Sequence, residues 1–134
     1  MDRTEILPDE LSDPTDHHFT PAIVANGTLY VSGQVGTDEN GRYVGDDVET
    51  QARQAFDNVG TILEAVGKDF DDVVKVTSYL VDIRTHYDAF SGVYRDVFAT
   101  EPYPCHTAIG VASLASDTPL VELEVEVPVA ESRL

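Results

Sequence analysis

Basic side chains are scarce in this chain. Lysine occurs only at Lys68 and Lys75, and Lys and Arg together number 8 against 25 Asp and Glu, for a formal net charge of −17. Phosphate binding needs clustered cations, so this balance argues against nucleic acid as a partner. The acids are spread along the sequence rather than gathered in a tail. Charge so far from zero keeps a protein dispersed but strains the compact state by self-repulsion, a load that salt screens. The expectation is a halophilic acidic protein from the cytosol of a salt-accumulating microorganism.

Other absences narrow the class further. Cys105 is the single cysteine, so no internal disulfide can form, as in a reducing compartment. No run of about eighteen apolar residues exists, so nothing is expected to span a membrane. Residues 1–5 lack the basic and then apolar build of a signal peptide. The expectation is a soluble, cytoplasmic protein with no membrane partner.

What is present suits one globular domain over residues 1–134, with 42% apolar residues available for a core. Residues 1–18 are polar and show neither helical nor strand period, and form an irregular N-terminal segment. His17 and His18 are adjacent there, but a metal site needs further ligands in fixed geometry, so no metal is expected.

From Pro21 the pattern becomes regular. Apolar runs at 21–25 and 28–35 flank Asn26-Gly27, the pair favoured in a type I′ hairpin turn. In the second run Leu29, Val31 and Val35 share one face, while Tyr30, Ser32 and Gln34 share the other. Asn40-Gly41 predicts another tight turn before a short strand at 42–44. Asp46 is placed to cap a helix, with Glu49 at capping-box spacing. Val48, Ala52, Ala55, Phe56, Val59 and Leu63 form its apolar stripe, and Gly67 its stop. Residues 73–81 are β-branched and read as a central strand. A second helix is predicted over about 86–98, burying Tyr87, Phe90, Tyr94, Val97 and Phe98, with His86 solvated or capping near its start. The last strand, 120–129, alternates Val121, Leu123, Val125 and Val127 with Glu122, Glu124 and Glu126.

The prolines Pro102 and Pro104 precede a strand beginning at Cys105. Alternation puts Cys105, Thr107, Ile109 and Val111 on one face, read as the core face. His106, Ala108 and Gly110 take the other, where two very small side chains leave space for a ligand or let another backbone approach. From this stretch alone His106 reads first as a hydrogen-bonded structural histidine. Cys105 and His106, on opposite faces, should not meet, so the thiol is expected to be buried and inert.

The element order is ββ(β)αβαββ, an α+β domain with two helices on one face of a mixed sheet. The uncovered face, expected to carry Ser32, Gln34, His106 and Glu122, reads as an oligomer surface with a pocket between subunits.

Residues 31–36 (VSGQVG), 51–59 (QARQAFDNV) and 120–125 (LVELEV) together resemble the RidA family, also called YjgF or L-PSP, over about residues 19–129. The resemblance implies a chorismate-mutase-like fold, a homotrimer, and small-molecule clefts at subunit interfaces. It implies hydrolysis of reactive 2-imino or enamino acids to 2-oxo acids and ammonia, with no metal or organic cofactor. Ser32 matches the serine of the Ser-Gly-Gln motif, and Glu122 the acidic residue that positions or activates water. Phe19, Gly33, Ser91, Cys105, Thr107 and Ala108 fall on or beside substrate-binding positions. Phe19 replaces a tyrosine and cannot donate a hydrogen bond, and Ser91 replaces an asparagine.

The main departure is His106, which stands where imine-hydrolysing members carry arginine. A histidine cannot copy the bidentate fork on a carboxylate, and losing that pair costs roughly 2–5 kcal/mol of binding. The surrounding acids are expected to favour a charged imidazole that serves as a substitute carboxylate partner. Otherwise His106 is a general base for a different hydrolysis. The alternative function is a non-catalytic, trimeric metabolite-binding or regulatory protein. Some family members are described as ribonucleases or translation inhibitors, which this charge balance does not favour.

The acid excess makes a direct prediction. The unfolding midpoint should rise between dilute buffer and molar potassium chloride, and an unchanged or falling midpoint would remove the salt-adaptation reading.

Overall fold

Asn26 and Gly27, both with positive φ (52° and 77°), turn the chain between β2 (Ala22–Ala25) and β3 (Thr28–Gln34), as a type I′ hairpin requires. The structure, a computed structural model, describes residues 2–129. Four further strands complete one sheet: β1 (Thr4–Ile6), β4 (Lys75–Val81), β5 (Cys105–Val111) and β6 (Val121–Pro128). Their order is β1-β2-β3-β6-β4-β5, with β4 and β5 parallel and every other neighbouring pair antiparallel. Two helices, α1 (Val48–Ala65) and α2 (Ile83–Val97), lie on one face. The α+β architecture expected from the pattern is observed.

Three local expectations need correction. Residues 4–6 pair with β2, so the N-terminal segment is not wholly irregular. A three-residue edge strand is too short to show a period. Residues 42–44 form no strand; a single bridge joins Thr37 to Tyr43. The Asp38 carboxylate organises that turn, accepting from the amides of Asn40 and Arg42. The cap of α1 is Asp47 rather than Asp46: its Oδ2 accepts from Thr50 N at 2.9 Å. Glu49 is thereby released from the capping box and pairs with Arg53 one turn along.

The end of α1 follows expectation. Gly67, at φ 73°, lets Lys68 N reach Leu63 O and Gly67 N reach Glu64 O. Helix α2 begins at Ile83, three residues before the predicted start, and buries Phe90 and Val93. Tyr87, expected on the buried side, is 42% exposed.

The core lies between the helices and the sheet. Phe56 is its centre: the rings of Phe70, Phe90, Tyr94 and Phe98 all lie 5.7–6.4 Å from it. Leu29, Val31, Val76, Leu80, Leu123 and Val125 supply the sheet side.

One polar side chain inside this core ties the connections to the helix. Gln51 is fully buried; its Nε2 donates to Gly45 O and Thr118 O, and its Oε1 accepts from Leu120 N at 2.7 Å. Its backbone packs directly on Gly36, where a Cβ would clash. Replacing Gln51 by Met keeps the volume but strands three backbone groups. The expected loss is about 3 kcal/mol in urea denaturation, and a neutral result would mean that water replaces these bonds.

Candidate functional site

The shape of β3 near Ser32 depends on a bulge. Val31 pairs with Val125, yet Gln34 pairs with Leu123, so β3 advances three residues while β6 advances two. Before the bulge Tyr30 faces the uncovered side with Glu126. Beyond it Gln34 is level with core-facing Leu123, so Gln34 leaves the uncovered face on which alternation had put it. Simple period-two reading cannot see an extra residue.

The bulge carries Ser32 and Gly33 to distinct tasks. Ser32 Oγ donates to Thr20 O at 2.5 Å, and Ser32 N donates to Pro21 O at 2.8 Å. Its hydroxyl proton is therefore committed to the chain before β2. Gly33 lies flush against Glu122: a Cβ there would overlap the Glu122 carboxylate. Only glycine allows this approach. Phe19 and Gly33 also line a small cavity of about 110 Å³ under the N-terminal segment.

Glu122 is half-buried on the uncovered face, level with Tyr79. Burial first, and then the neighbouring Glu124 carboxylate, raise its pKa above the ordinary glutamate value. Glu124 is itself engaged, accepting from Tyr79 Oη at 2.6 Å. Glu122 is thus a carboxyl of raised pKa set against an open backbone.

The second group of residues belongs to the other side of the sheet. His106 pairs with Val76, which is fully buried, so its imidazole points toward the helices and not onto the uncovered face. Its Nε2 is 2.9 Å from Ser78 Oγ, and its ring stacks on Tyr94 with centroids 4.3 Å apart. Burial, then the charge of Lys75, lowers its pKa below the ordinary histidine value. The expectation of an imidazolium favoured by nearby acids is overturned, because desolvation outweighs a distant acidic surface. The hydrogen-bonded histidine reading is the one this geometry matches.

The faces of β5 are accordingly the reverse of those predicted. Cys105 and Ile109 are exposed, and Thr107 accepts from Lys75 Nζ at 2.8 Å on the open side. Cys105 is therefore not buried. Ala108, level with Ser78, and Gly110 face α2; a Cβ on Gly110 would come within 2.7 Å of Ile83 Cγ2. The lean face is lean because a helix comes close, one of the two meanings it could have had. His86, near the start of α2, hydrogen-bonds Val81 O at 2.7 Å.

Beside His106 a cavity of about 550 Å³ opens at the sheet edge, walled by Tyr87, Ser91, Tyr94, Arg95 and Tyr103. Ser91 and Arg95 are one turn apart on α2. Sequence reasoning singled out Ser91 but missed Tyr94 as a wall of this cavity, reading it only as core, and missed Arg95 altogether. The four-residue spacing from Ser91 was the available signal.

The predicted site residues therefore form two groups. Phe19, Ser32, Gly33 and Glu122 gather around the bulge, whereas Ser91, His106 and Ala108 lie on the α2 side. Cys105 and Thr107 belong to neither cavity. Glu122 is level, through Tyr79, with Ile109, three residues beyond His106. Two strand spacings, about 10 Å, and the sheet itself also intervene. Within one chain these groups cannot grip the same small molecule. Among the described residues no group of three or more His, Cys, Asp or Glu could hold a metal ion, and no helix is long and apolar enough to cross a membrane.

Glu122 also makes a stability prediction. A carboxyl with a raised folded-state pKa contributes stability below its unfolded pKa and loses it as pH rises through the folded value. Glu122→Gln should match wild type in acid and melt a few degrees higher at neutral pH. A lower melting temperature at neutral pH would mean that the carboxylate is held by partners rather than penalised.

The family profile described as Endoribonuclease L-PSP matches residues 11–130. The chain is 38% identical over 116 residues to the RutC family protein YjgH of Escherichia coli, spanning 86% of this chain and 88% of that protein. It is 39% identical over 97 residues to the 2-iminobutanoate/2-iminopropanoate deaminase of Capra hircus, spanning 72% of this chain and 69% of that protein. A solved structure of protein YjgH superimposes with a TM-score of 0.89 at 34% identity, over 98% of this chain and 100% of that one.

Proposed function

Since this chain belongs to the RidA/YjgF (L-PSP) family, we propose that it is an imine/enamine deaminase whose site is shared between two subunits of a homotrimer. The observation that carries this reading is the half-buried carboxyl of Glu122, its pKa raised so that it serves as a stronger base, against the open backbone of Gly33. The name of the goat relative supports the substrate class, a small 2-imino acid.

The chemistry asks little of the protein. With the substrate as its iminium ion, the Glu122 carboxylate accepts a proton from water as the water oxygen bonds to the imine carbon and the C=N pair moves to nitrogen, giving a neutral carbinolamine. The resulting carboxyl returns that proton to the carbinolamine nitrogen, the C–N bond breaks with its electron pair on the departing ammonia, and the carbinolamine hydroxyl releases its proton to the Glu122 carboxylate as it becomes the carbonyl of the 2-oxo acid. No cofactor takes part. Gly33 offers its backbone to the polarised group, Phe19 closes the cavity by apolar contact, and Ser32 holds the bulge through Thr20 as a positioning residue. Ser91, His106 and the backbone at Ala108 come from the next subunit. Cys105 and Thr107, on the uncovered face, stand at its margin. This division explains why the two groups are so far apart in one chain, since a symmetric ring brings unlike surfaces together. The protein acts in the cytosol on small molecules, with neither nucleic acid nor membrane as partner.

A second reading has its own observation. His106 is held uncharged and Phe19 has no hydroxyl, so both weaken the polar grip on an anionic substrate. A trimer that binds a metabolite without turning it over would have the same fold and cavities.

The test is hydrolysis of freshly generated 2-imino acids at high salt. Wild type should release ammonia, and Glu122→Gln should be slower by roughly 100-fold or more. Ser91→Trp, which fills the larger cavity, should also be inactive. Mixing the two inactive variants under subunit exchange should restore roughly a quarter of the wild-type rate, because some interfaces then carry two intact halves. Exchange without recovery would overturn the shared site. Silence of wild type on every imino acid would favour the binding protein.

A further inference from the structure

The larger cavity holds more than the deaminase reading requires. At about 550 Å³ it lies well inside the range of ligand pockets, and a short aliphatic imino acid would fill little of it. Its walls are mainly rings: Tyr87, Tyr94 and Tyr103 line it, and Tyr87 and Tyr103 are 42% and 59% exposed. Rings left open to water in a concave surface suit a flat apolar partner, which stacks at offset or edge-on geometry.

The cavity also has a cation, though not where β5 would supply one. His106 is uncharged, with Nε2 turned to Ser78 and one ring face covered by Tyr94. Arg95 is exposed on α2 at the same cavity, one turn beyond Ser91. Among the described residues Arg95 has no salt bridge and no side-chain hydrogen bond, although acids outnumber bases threefold. The ion pairs present both belong to Arg53, which holds Glu49 and Asp96. A guanidinium left free beside aromatic walls retains its whole fork for an incoming carboxylate.

We propose that Arg95, and not His106, holds the carboxylate of the ligand, and that this ligand carries an aromatic side chain stacked between the tyrosines of the cavity. Resting on the deaminase reading, the substrate is then an aromatic 2-imino acid. His106 serves instead as a flat, neutral floor that the Tyr94 stack and the Ser78 hydrogen bond keep in place. The cation has moved from the strand to the facing helix, and it enters the cavity from the rim. That position leaves the interior free for a ring.

Two 2-oxo acid products and one neutral analogue, none of them hydrolysed, separate binding from turnover. Calorimetry with 2-oxo-3-phenylpropanoate, 2-oxobutanoate and the neutral ketone 1-phenylpropan-2-one would be run on wild type, Arg95→Gln and Arg95→Lys. Arg95 is exposed, so neither variant should disturb folding. The aromatic acid should bind wild type at least about 10-fold more tightly than 2-oxobutanoate. Arg95→Gln should weaken the aromatic acid by roughly 10-fold or more while leaving the neutral ketone unchanged, with Arg95→Lys in between. Equal binding of both acids, or an Arg95→Gln affinity equal to wild type, would overturn the proposal even if imino acids are hydrolysed. Arg95-dependent binding of the aromatic acid without ammonia release from any imino acid would leave this proposal standing and remove the deaminase reading alone.

Discussion

The close approach of α2 to β5 is the contact on which the arrangement of this protein depends. It is possible because Gly110 has no side chain where Ile83 arrives and because Ala108 is small beside Ser78. With the helix this near, the face of β5 that carries His106 is covered, and the larger Ile109 is left on the open side. Covering that face desolvates the imidazole and brings Tyr94 against it. The aromatic cavity at the sheet edge lies where α2 passes over β5, the edge strand of the sheet among the described residues. Had β5 carried bulk at 108 and 110, the helix would stand off and neither the stack nor the cavity would form.

A second constraint works on the opposite face. The extra residue in β3 turns Gly33 toward Glu122 and draws Ser32 back to the chain before β2. A partly buried carboxyl beside other carboxylates is costly in a chain of net charge −17, and the raised pKa of Glu122 expresses that cost. Its neighbour Glu124 accepts a hydrogen bond from Tyr79. Burial leaves Glu122 reluctant to ionise. Such selective tuning commonly marks a group used in proton transfer.

How far the chain could be read in advance varied with the type of signal. The hairpin at Asn26-Gly27, the stop at Gly67 and the alternation of β6 were legible because each depends on residues adjacent in sequence. The cap of α1 was displaced by one residue because Asp46 and Asp47 offer the same chemistry, and only the path of the chain chooses between them. Gln51 was invisible as a core residue: its three backbone partners come from loops up to 69 residues away. Of the candidate site, Glu122 and Gly33 were singled out as separate residues, and their contact was not. His106 was noticed for its lean surroundings, which the approach of α2 explains, and assigned to the wrong face. Arg95 was passed over because an arginine on a helix surface looks like any solvated charge until a cavity is found beside it.

By itself the sequence determined the class of fold, the order of the elements from β2 onward apart from the strand expected at 42–44, and the excess of negative charge, since periodicity, turn chemistry and composition act locally or by simple addition; the resemblance of its motifs identified the family. The tertiary structure alone decided which face of β5 is covered, where the bulge sends Gly33, and that Glu122 and His106 stand on opposite sides of one sheet. Alternation states that neighbours point apart but not which way is inward; that choice belongs to the helix that packs there. The charge of His106 was decided the same way, because a pKa responds to burial and to near neighbours in space, and neither is written in the order of the residues.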